Sequence, residues 1–186
     1  MIIRNYHLAV LMTFSLWVVS CGKDDDDPEN PPVLLNEEEL ITTVVMQFTD
    51  PSGVYPDVMA TFRDIDGPGG LEPSHFDTIR LASSTLYHAT IGLLNESVDP
   101  AEDLTAEVLD EAGEHIFCYT PQDADLSVVR TDSDGVFELG ITSNWQTGIP
   151  GVGAVRIVLK HQPGIKDGTC EPGETDIELD FPVRVE

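Results

Sequence analysis

Basic residues are scarce in this sequence. Nine Lys and Arg stand against 34 Asp and Glu, which gives a formal net charge of −25 over 186 residues. Nucleic-acid binding needs clustered Lys and Arg that neutralise phosphates, and lying flat on an anionic lipid surface needs basic residues too. The charge balance therefore excludes both classes of protein and favours a soluble domain that meets cations or a basic partner.

Catalytic signatures are missing as well. The sequence has no Cys-x-x-Cys pair, no zinc spacing among its histidines and no Gly-x-Ser-x-Gly elbow around a nucleophilic serine. Paired carboxylates are so common in this acidic chain that no particular pair indicates glycosidase chemistry. We therefore predict that the protein is not an enzyme.

No apolar run is long enough to span a membrane. The longest, residues 8–19, has twelve residues, whereas a spanning helix needs about 20. Arg4 precedes the run, as in a signal peptide. The run ends in Val18-Val19-Ser20-Cys21, which resembles the bacterial lipobox. The resemblance implies cleavage before Cys21 and a diacylglycerol on its thiol, with two or three acyl chains to hold the protein to a membrane. The alternative is an ordinary secretory signal with an incidental cysteine.

The residues after Cys21 indicate an address and a spacer. Lys23 followed by four aspartates, Asp24 to Asp27, resembles the lipoprotein surface-export signal of the Bacteroidota. It implies an outer-membrane protein that faces outward; the alternative is a solvated acidic spacer and a periplasm-facing protein. We assign residues 1–20 to the signal peptide, 21–33 to a lipidated acidic tether and 34–186 to a single domain. Without residues 1–20, the formal charge is −26 because Arg4 is lost.

The pattern of the domain is that of strands. Nine runs of alternating apolar and polar residues are separated by turns rich in Gly, Pro and Asp. They include a run from Phe137 to near Trp145 and a final run over residues 177–185. We predict a mainly β fold, an antiparallel Ig-like β-sandwich of about 8–9 strands. One short helix is predicted between Asp99, as N-cap, and Gly113.

Two cysteines remain after lipidation of Cys21. Because a secreted chain meets an oxidising compartment, Cys118 and Cys170 are predicted to form a disulfide; the alternative is two free thiols. Closing a loop of about 50 residues would contribute on the order of 4 kcal/mol.

Four aspartates and one tryptophan are the candidate binding residues. Two Asp-x-Asp-Gly loops could hold Ca²⁺, although neither matches an EF-hand and both are ordinary turn sequences; their carboxylates belong to Asp64, Asp66, Asp132 and Asp134. Trp145 could stack on a sugar ring from a loop, or it could belong to the core. Ca²⁺ is therefore the one cofactor considered, and plain turns are the alternative.

Three stretches carry a family resemblance. They are LLNESVDPAEDLTAEVLDEAGEHIF, IVLKHQPGIKDG and GETDIELDFPV, and they look like a family of small Bacteroidota lipoproteins often labelled "type 1 periplasmic binding fold superfamily protein". The likeness covers residues 34–186 and implies no activity. The label implies an α/β fold with a parallel sheet, whereas one helix among nine strands cannot supply the crossovers of such a sheet.

Together these features predict a membrane-anchored lipoprotein. We expect a non-enzymatic module at the outer membrane that binds an unknown ion, glycan or protein. The alternative function is a glycan-directed hydrolase or accessory protein built on a β-sandwich.

Overall fold

Alternating apolar and polar residues build two β-sheets. The computed structural model describes residues 40–67 and 69–186. The predicted signal peptide, Cys21, the tether and residues 34–39 of the domain therefore lie outside the described residues. The chain is mainly β, with eleven strands and one short helix in the part that is described. Because odd and even residues of a strand face opposite sides, the apolar set of each strand can turn toward a shared core.

The first sheet has seven strands in the order β3-β2-β1-β5-β9-β8, with β6 paired to β5. All its pairings are antiparallel. The strands are β1 (Thr43–Thr49), β2 (Val58–Arg63), β3 (His75–Phe76), β5 (Leu86–Asn95), β6 (Glu102–Asp103), β8 (Leu126–Arg130) and β9 (Thr142–Thr147).

The second sheet has four strands in the order β4-β11-β10-β7. Its pairings are antiparallel except for β4 with β11, which run parallel. The strands are β4 (Ile79–Leu81), β7 (His115–Gln122), β10 (Gly151–His161) and β11 (Glu174–Val185). The arrangement of the two sheets is sandwich-like and differs from the parallel α/β fold that the family label implies.

The core lies between the two sheets. Buried side chains of the first sheet, such as Phe48 and Tyr87, belong to the same apolar cluster as Ile157 and Phe181 of the second. Phe76 meets Phe181 edge-on with ring centroids 5.1 Å apart, which is one direct contact from sheet to sheet. The mainly β prediction is confirmed; the strand number was underestimated because β3 and β6 have two residues each, too few to show alternation.

One predicted strand begins later than the alternation indicates. Residues 137–141 form a loop, and the strand follows as β9. Gly140 has a φ of +100°, and Asp132 accepts hydrogen bonds from the N–H groups of Gly140 and Thr142. The chain folds around the Asp132 carboxylate here, which the alternation of Phe137 and Leu139 cannot reveal.

The helix begins later than predicted. Helix α1 covers Leu104–Asp110, and its N-cap is Asp103, whose carboxylate accepts the N–H of Thr105. Asp99 is therefore not the cap. The reason is a tertiary contact. Glu102 and Asp103 form the short strand β6, which pairs with the end of β5, so the chain is still extended where the capping pattern would start the helix.

The disulfide is confirmed. Cys118 on β7 is bonded to Cys170, in the segment between β10 and β11, with Cα atoms 6.2 Å apart. It ties an outer strand of the second sheet to that connection.

Candidate functional site

Two buried histidines lie side by side at one end of the second sheet. His115 on β7 is opposite His161 on β10, and their rings stack with centroids 4.6 Å apart and planes 14° apart. The side chains are 1% and 6% exposed. On the same inner face the next paired positions carry Phe117 and Leu159, so the core pattern changes from apolar to polar at this end. We call His115 and His161 the histidine pair.

Acidic side chains surround the histidine pair. Glu111, the C-cap residue of α1, joins it in a group whose potential ligand atoms all lie within 4.8 Å of one another. Glu114 places Oε2 3.5 Å from Nε2 of His161. Asp176 places Oδ2 3.8 Å from Nε2 of His115. Imidazole nitrogens and carboxylates are the usual protein ligands of Zn²⁺ and related ions.

An irregularity of β11 brings Asp176 to this place. Leu159 of β10 lies opposite Ile177, but the next residue, Lys160, lies opposite Thr175, so the register skips Asp176. An extra residue of this kind is a β-bulge, which re-aims a side chain and is often found beside functional sites. The Asp176 side chain is 7% exposed as a result, in a strand whose other acidic residues face solvent.

The electrostatic environment keeps His115 in the form that binds metals. Burial lowers the pKa of His115 below its ordinary 6.5, and the neighbouring His161 lowers it further, against the opposing effect of the Glu111 carbonyl. His115 is therefore neutral at pH 7. Its Nδ1 donates to the Glu111 carbonyl at 3.3 Å and its Nε2 faces Asp176, so whichever nitrogen takes an ion, the other keeps an acceptor that orients the ring.

A buried lysine, Lys166, lies close to this group and bonds to the end of α1. Lys166 donates to the backbone carbonyl of Ala112 at 2.7 Å and to Asp134 Oδ2 at 2.8 Å, and its side chain is 3% exposed. These bonds tie the segment after β10 to the end of α1, where Glu111 lies. The Lys166 ammonium, with the N–H groups of Phe137 and Val136, lowers the pKa of Asp134 to about 2.

The two candidate calcium loops differ in what their carboxylates contact. In the second loop, both Asp132 oxygens accept backbone N–H groups, and Asp134 accepts two more and the Lys166 ammonium. These are the contacts of the plain-turn alternative. Calcium binding there stays a prediction, and the ion would have to displace Lys166.

The first loop opens onto a pocket. Asp66 Oδ2 accepts the N–H of Leu71, whereas Asp64 is 9% exposed and lines a pocket of about 510 Å³. We call it the inter-sheet pocket, since residues of β1, β2 and β11 or their ends line it. Its carboxylates are Asp64, Asp176 and Glu178, and its apolar walls are Leu40, Ile41, Phe62, Ile177 and Leu179.

Trp145 is not available to a sugar. It is 0% exposed in the middle of β9, where it meets Phe48 edge-on at 5.0 Å and Tyr119 at 5.8 Å. Its indole N–H donates to Ser143 Oγ. The core interpretation is correct, and the ligand interpretation was wrong because the residue was placed in a loop rather than in a strand.

Sequence reasoning named neither the histidine pair nor its carboxylates as a site. One signal was present: His115 and His161 continue the inward sets that contain Phe117 and Leu159, where an apolar residue is expected. Their pairing across strands and the bulge at Asp176 depend on register, which no local pattern gives.

Comparison of the chain with family models, with curated proteins and with solved structures gave no match. No helix among the described residues is long and apolar enough to cross a membrane. The function is therefore argued from the site.

Proposed function

We propose that the protein is a lipid-anchored, non-enzymatic binding protein of the bacterial envelope that takes a transition-metal ion, with Zn²⁺ as the reference, at the histidine pair and Glu111. The observation that carries the proposal is the convergence of two buried imidazoles and one carboxylate within 4.8 Å. Imidazole nitrogens and a carboxylate are ligands that such an ion accepts, and all three belong to buried or half-buried residues of one group.

The ligand set favours an ion of intermediate softness. Neutral imidazole suits Zn²⁺, Cu²⁺ and Ni²⁺, whereas Ca²⁺ and Mg²⁺ prefer six or more oxygens. Two histidines and one glutamate provide three ligands and leave a fourth position open. Glu114, whose Oε2 is 3.5 Å from Nε2 of His161, is a candidate for that position. The stacked rings would have to tilt toward a shared ion. With the ion on Nδ1, Asp176 would orient His115 through Nε2; with the ion on Nε2, the Glu111 carbonyl would orient it through Nδ1.

The location is proposed from the sequence. Val18-Val19-Ser20-Cys21 supports lipidation of Cys21, and the Lys23–Asp27 stretch supports export to the outer face of the outer membrane; a periplasm-facing anchor is the alternative. Cys21→Ser is expected to move the protein from the membrane fraction to the soluble fraction. Unchanged sedimentation with membranes would contradict the anchor without touching the metal site.

The sandwich is proposed to be of the Ig-like kind. In support, the chain passes between the sheets at β3–β4, β4–β5, β6–β7 (through α1), β7–β8 and β9–β10, as it does in sandwiches of that class. Such scaffolds carry many unrelated binding functions, so the fold adds nothing to the choice of ligand.

Metal binding is tested on the intact protein after treatment with chelator. Isothermal titration with Zn²⁺ is expected to show one site, and Co²⁺ is expected to give the strong visible absorption of a four-coordinate ion. The double variant His115→Ala/His161→Ala should lose both signals. The matched control removes two exposed histidines instead, as His75→Ala/His88→Ala, and should retain them.

Asp176→Asn separates a metal site from a merely structural cluster. It keeps the size of the side chain and is expected to weaken Zn²⁺ binding about 10–100-fold by removing an orienting carboxylate. Absence of Zn²⁺ and Co²⁺ binding to the unmodified protein would overturn the proposal even if the variants do not fold.

A further inference from the structure

The inter-sheet pocket contains a buried carboxylate oxygen that needs a partner. Asp64 is 9% exposed, and among the residues that the structure describes its Oδ1 has no hydrogen-bond partner although the atom is shielded from solvent. Native proteins rarely leave such an atom unsatisfied, because the buried group has lost its water and gained nothing in exchange. A partner must therefore come from outside the described chain.

No cation among the described residues that line the pocket supplies it. Arg63 is next to Asp64 in the sequence, but its guanidinium is engaged with Glu96 at 2.6 Å. Asp176 and Glu178 also line the pocket, and none of the lining residues that the structure describes is a Lys or an Arg. Glu178 is paired with Arg156 of β10 at 3.3 Å, so the negative charge comes from Asp64 and Asp176, and a ligand that fits the pocket carries positive charge.

The walls say what else the ligand carries. Most of the pocket surface is apolar, contributed by side chains of both sheets that include Ile41, Phe62 and Ile177. A bare metal ion prefers a shell of oxygen ligands and water, which such walls do not offer. At about 510 Å³ the pocket has the size of a small-molecule site.

We propose that the inter-sheet pocket binds a small organic cation, an amine with an apolar body whose ammonium group donates a hydrogen bond to Asp64. The apolar body lies against the walls, and the Asp176 carboxylate adds negative charge. Asp176 is common to this pocket and to the surroundings of His115, but none of the three proposed metal ligands lines the pocket, so either proposal can hold without the other.

The test uses the full chain and three probes of equal length: n-hexylammonium, 1-hexanol and hexanoate. Titration is followed by calorimetry and by amide chemical shifts in two-dimensional NMR. Hexylammonium is expected to bind at least about tenfold more tightly than hexanol, the worth of one charge-assisted hydrogen bond, and hexanoate is expected not to bind. The shifted amides should include those of Ile41, Phe62 and Ile177.

Asp64→Asn removes the charge with little change of shape, and Asp57→Asn is its control. Both residues flank β2, but Asp57 is exposed at the opposite end of the strand and does not line the pocket. Asp64→Asn should reduce hexylammonium affinity at least about tenfold, whereas Asp57→Asn should leave it unchanged. Without ligand, Asp64→Asn should melt no lower than the parent, because one oxygen of the carboxylate it replaces lacks a partner.

Three results would overturn the proposal. They are equal affinity for hexylammonium and hexanol, amide shifts that fall outside the pocket, and retention of hexylammonium binding by a folded Asp64→Asn variant. The first two are measured on the unmodified protein and so do not depend on whether the variant folds.

Discussion

Trp145 connects the two sheets through its ring contacts. It belongs to β9 of the first sheet, and Tyr119, which it meets edge-on, belongs to β7 of the second. Phe48 of β1 packs against its other side. Aromatic pairs in this geometry add to the stabilisation that burial alone provides. The residue therefore belongs to the core, as one of its two sequence interpretations holds.

Trp145→Ala is predicted to lower the free energy of unfolding by about 3–5 kcal/mol, because it leaves a large cavity in a packed core. The measurement is urea unfolding followed by circular dichroism. Val129→Ala on the neighbouring strand β8 is the control; that side chain is 60% exposed and should cost little. A loss below about 1 kcal/mol for Trp145→Ala would contradict the packing described here.

The Asp134 carboxylate predicts an acid-sensitive contact. Lys166 and two backbone N–H groups hold its pKa near 2 in the folded chain, against an ordinary 3.8. Between these values the unfolded chain binds the proton and the folded chain does not, so falling pH favours unfolding. The stabilisation is complete above about pH 4 and is lost as pH falls toward 2.

Asp134→Asn should therefore be less stable than the parent at pH 6, and the difference should shrink as pH falls from 4 to 2. Urea midpoints measured across this range test it. Asp57→Asn, at an exposed position without these contacts, should show no such convergence. Parallel midpoint curves for Asp134→Asn and the parent would show that the contact with Lys166 does not select the ionised carboxylate.

At the level of elements, the start of helix α1 is set by a tertiary contact and not by local sequence preference. The sequence favours Asp99, which a proline follows, as the cap. The pairing of Glu102–Asp103 with the end of β5 overrides that preference, since it keeps the chain extended up to Asp103. Local capping rules do not include the pairing of β6 with β5, which depends on tertiary structure.

Asp103→Ala is predicted to destabilise the protein by about 1 kcal/mol, since the N–H of Thr105 loses its acceptor. Asp99→Ala, the same change at the cap that sequence alone favours, is expected to leave stability within about 0.5 kcal/mol. Chemical denaturation of both variants distinguishes them. Equal costs, or a larger cost at Asp99, would restore the earlier helix start.

The disulfide stabilises through the length of the loop it closes. Cys118 and Cys170 are 52 residues apart, and closing such a loop in the unfolded chain removes entropy worth about 4 kcal/mol. The double variant Cys118→Ser/Cys170→Ser should lose about that amount, and the reduced parent should match it. A loss below about 1 kcal/mol would mean that the unfolded chain is already compact in this region.

For the whole molecule, the mainly β class of the fold could be predicted from the sequence, whereas the histidine pair and the inter-sheet pocket could not. Alternation along strands such as β5 and β11 needs only local order, and it fixed which side chains are buried. The histidine pair, the bulge at Asp176 and the inter-sheet pocket depend instead on which strands become neighbours and in what register. Those choices are made by contacts distant in sequence, and a single residue of slip would turn His161 away from His115.

The charge of the whole chain gives the last prediction. With 34 acidic and nine basic residues, repulsion among carboxylates outweighs the few ion pairs, such as Arg156 with Asp180. Raising the salt from about 0.01 to 1 M shortens the screening length from about 30 to 3 Å, which weakens that repulsion. The melting temperature should rise, at about 2–4 °C per kcal/mol gained for a chain of this length.

Choice of salt separates screening from binding at particular sites. NaCl and KCl at equal ionic strength should raise the melting temperature equally, because both screen and neither binds the carboxylates at particular sites. If millimolar CaCl₂ raises the melting temperature more than NaCl of matched ionic strength does, the protein binds Ca²⁺. Loss of this additional rise in Asp64→Asn or in Asp132→Asn would assign the ion to the corresponding loop. A melting temperature that falls with NaCl would mean that the ion pairs, few as they are, contribute more than the repulsion removes, because salt screens attraction and repulsion alike.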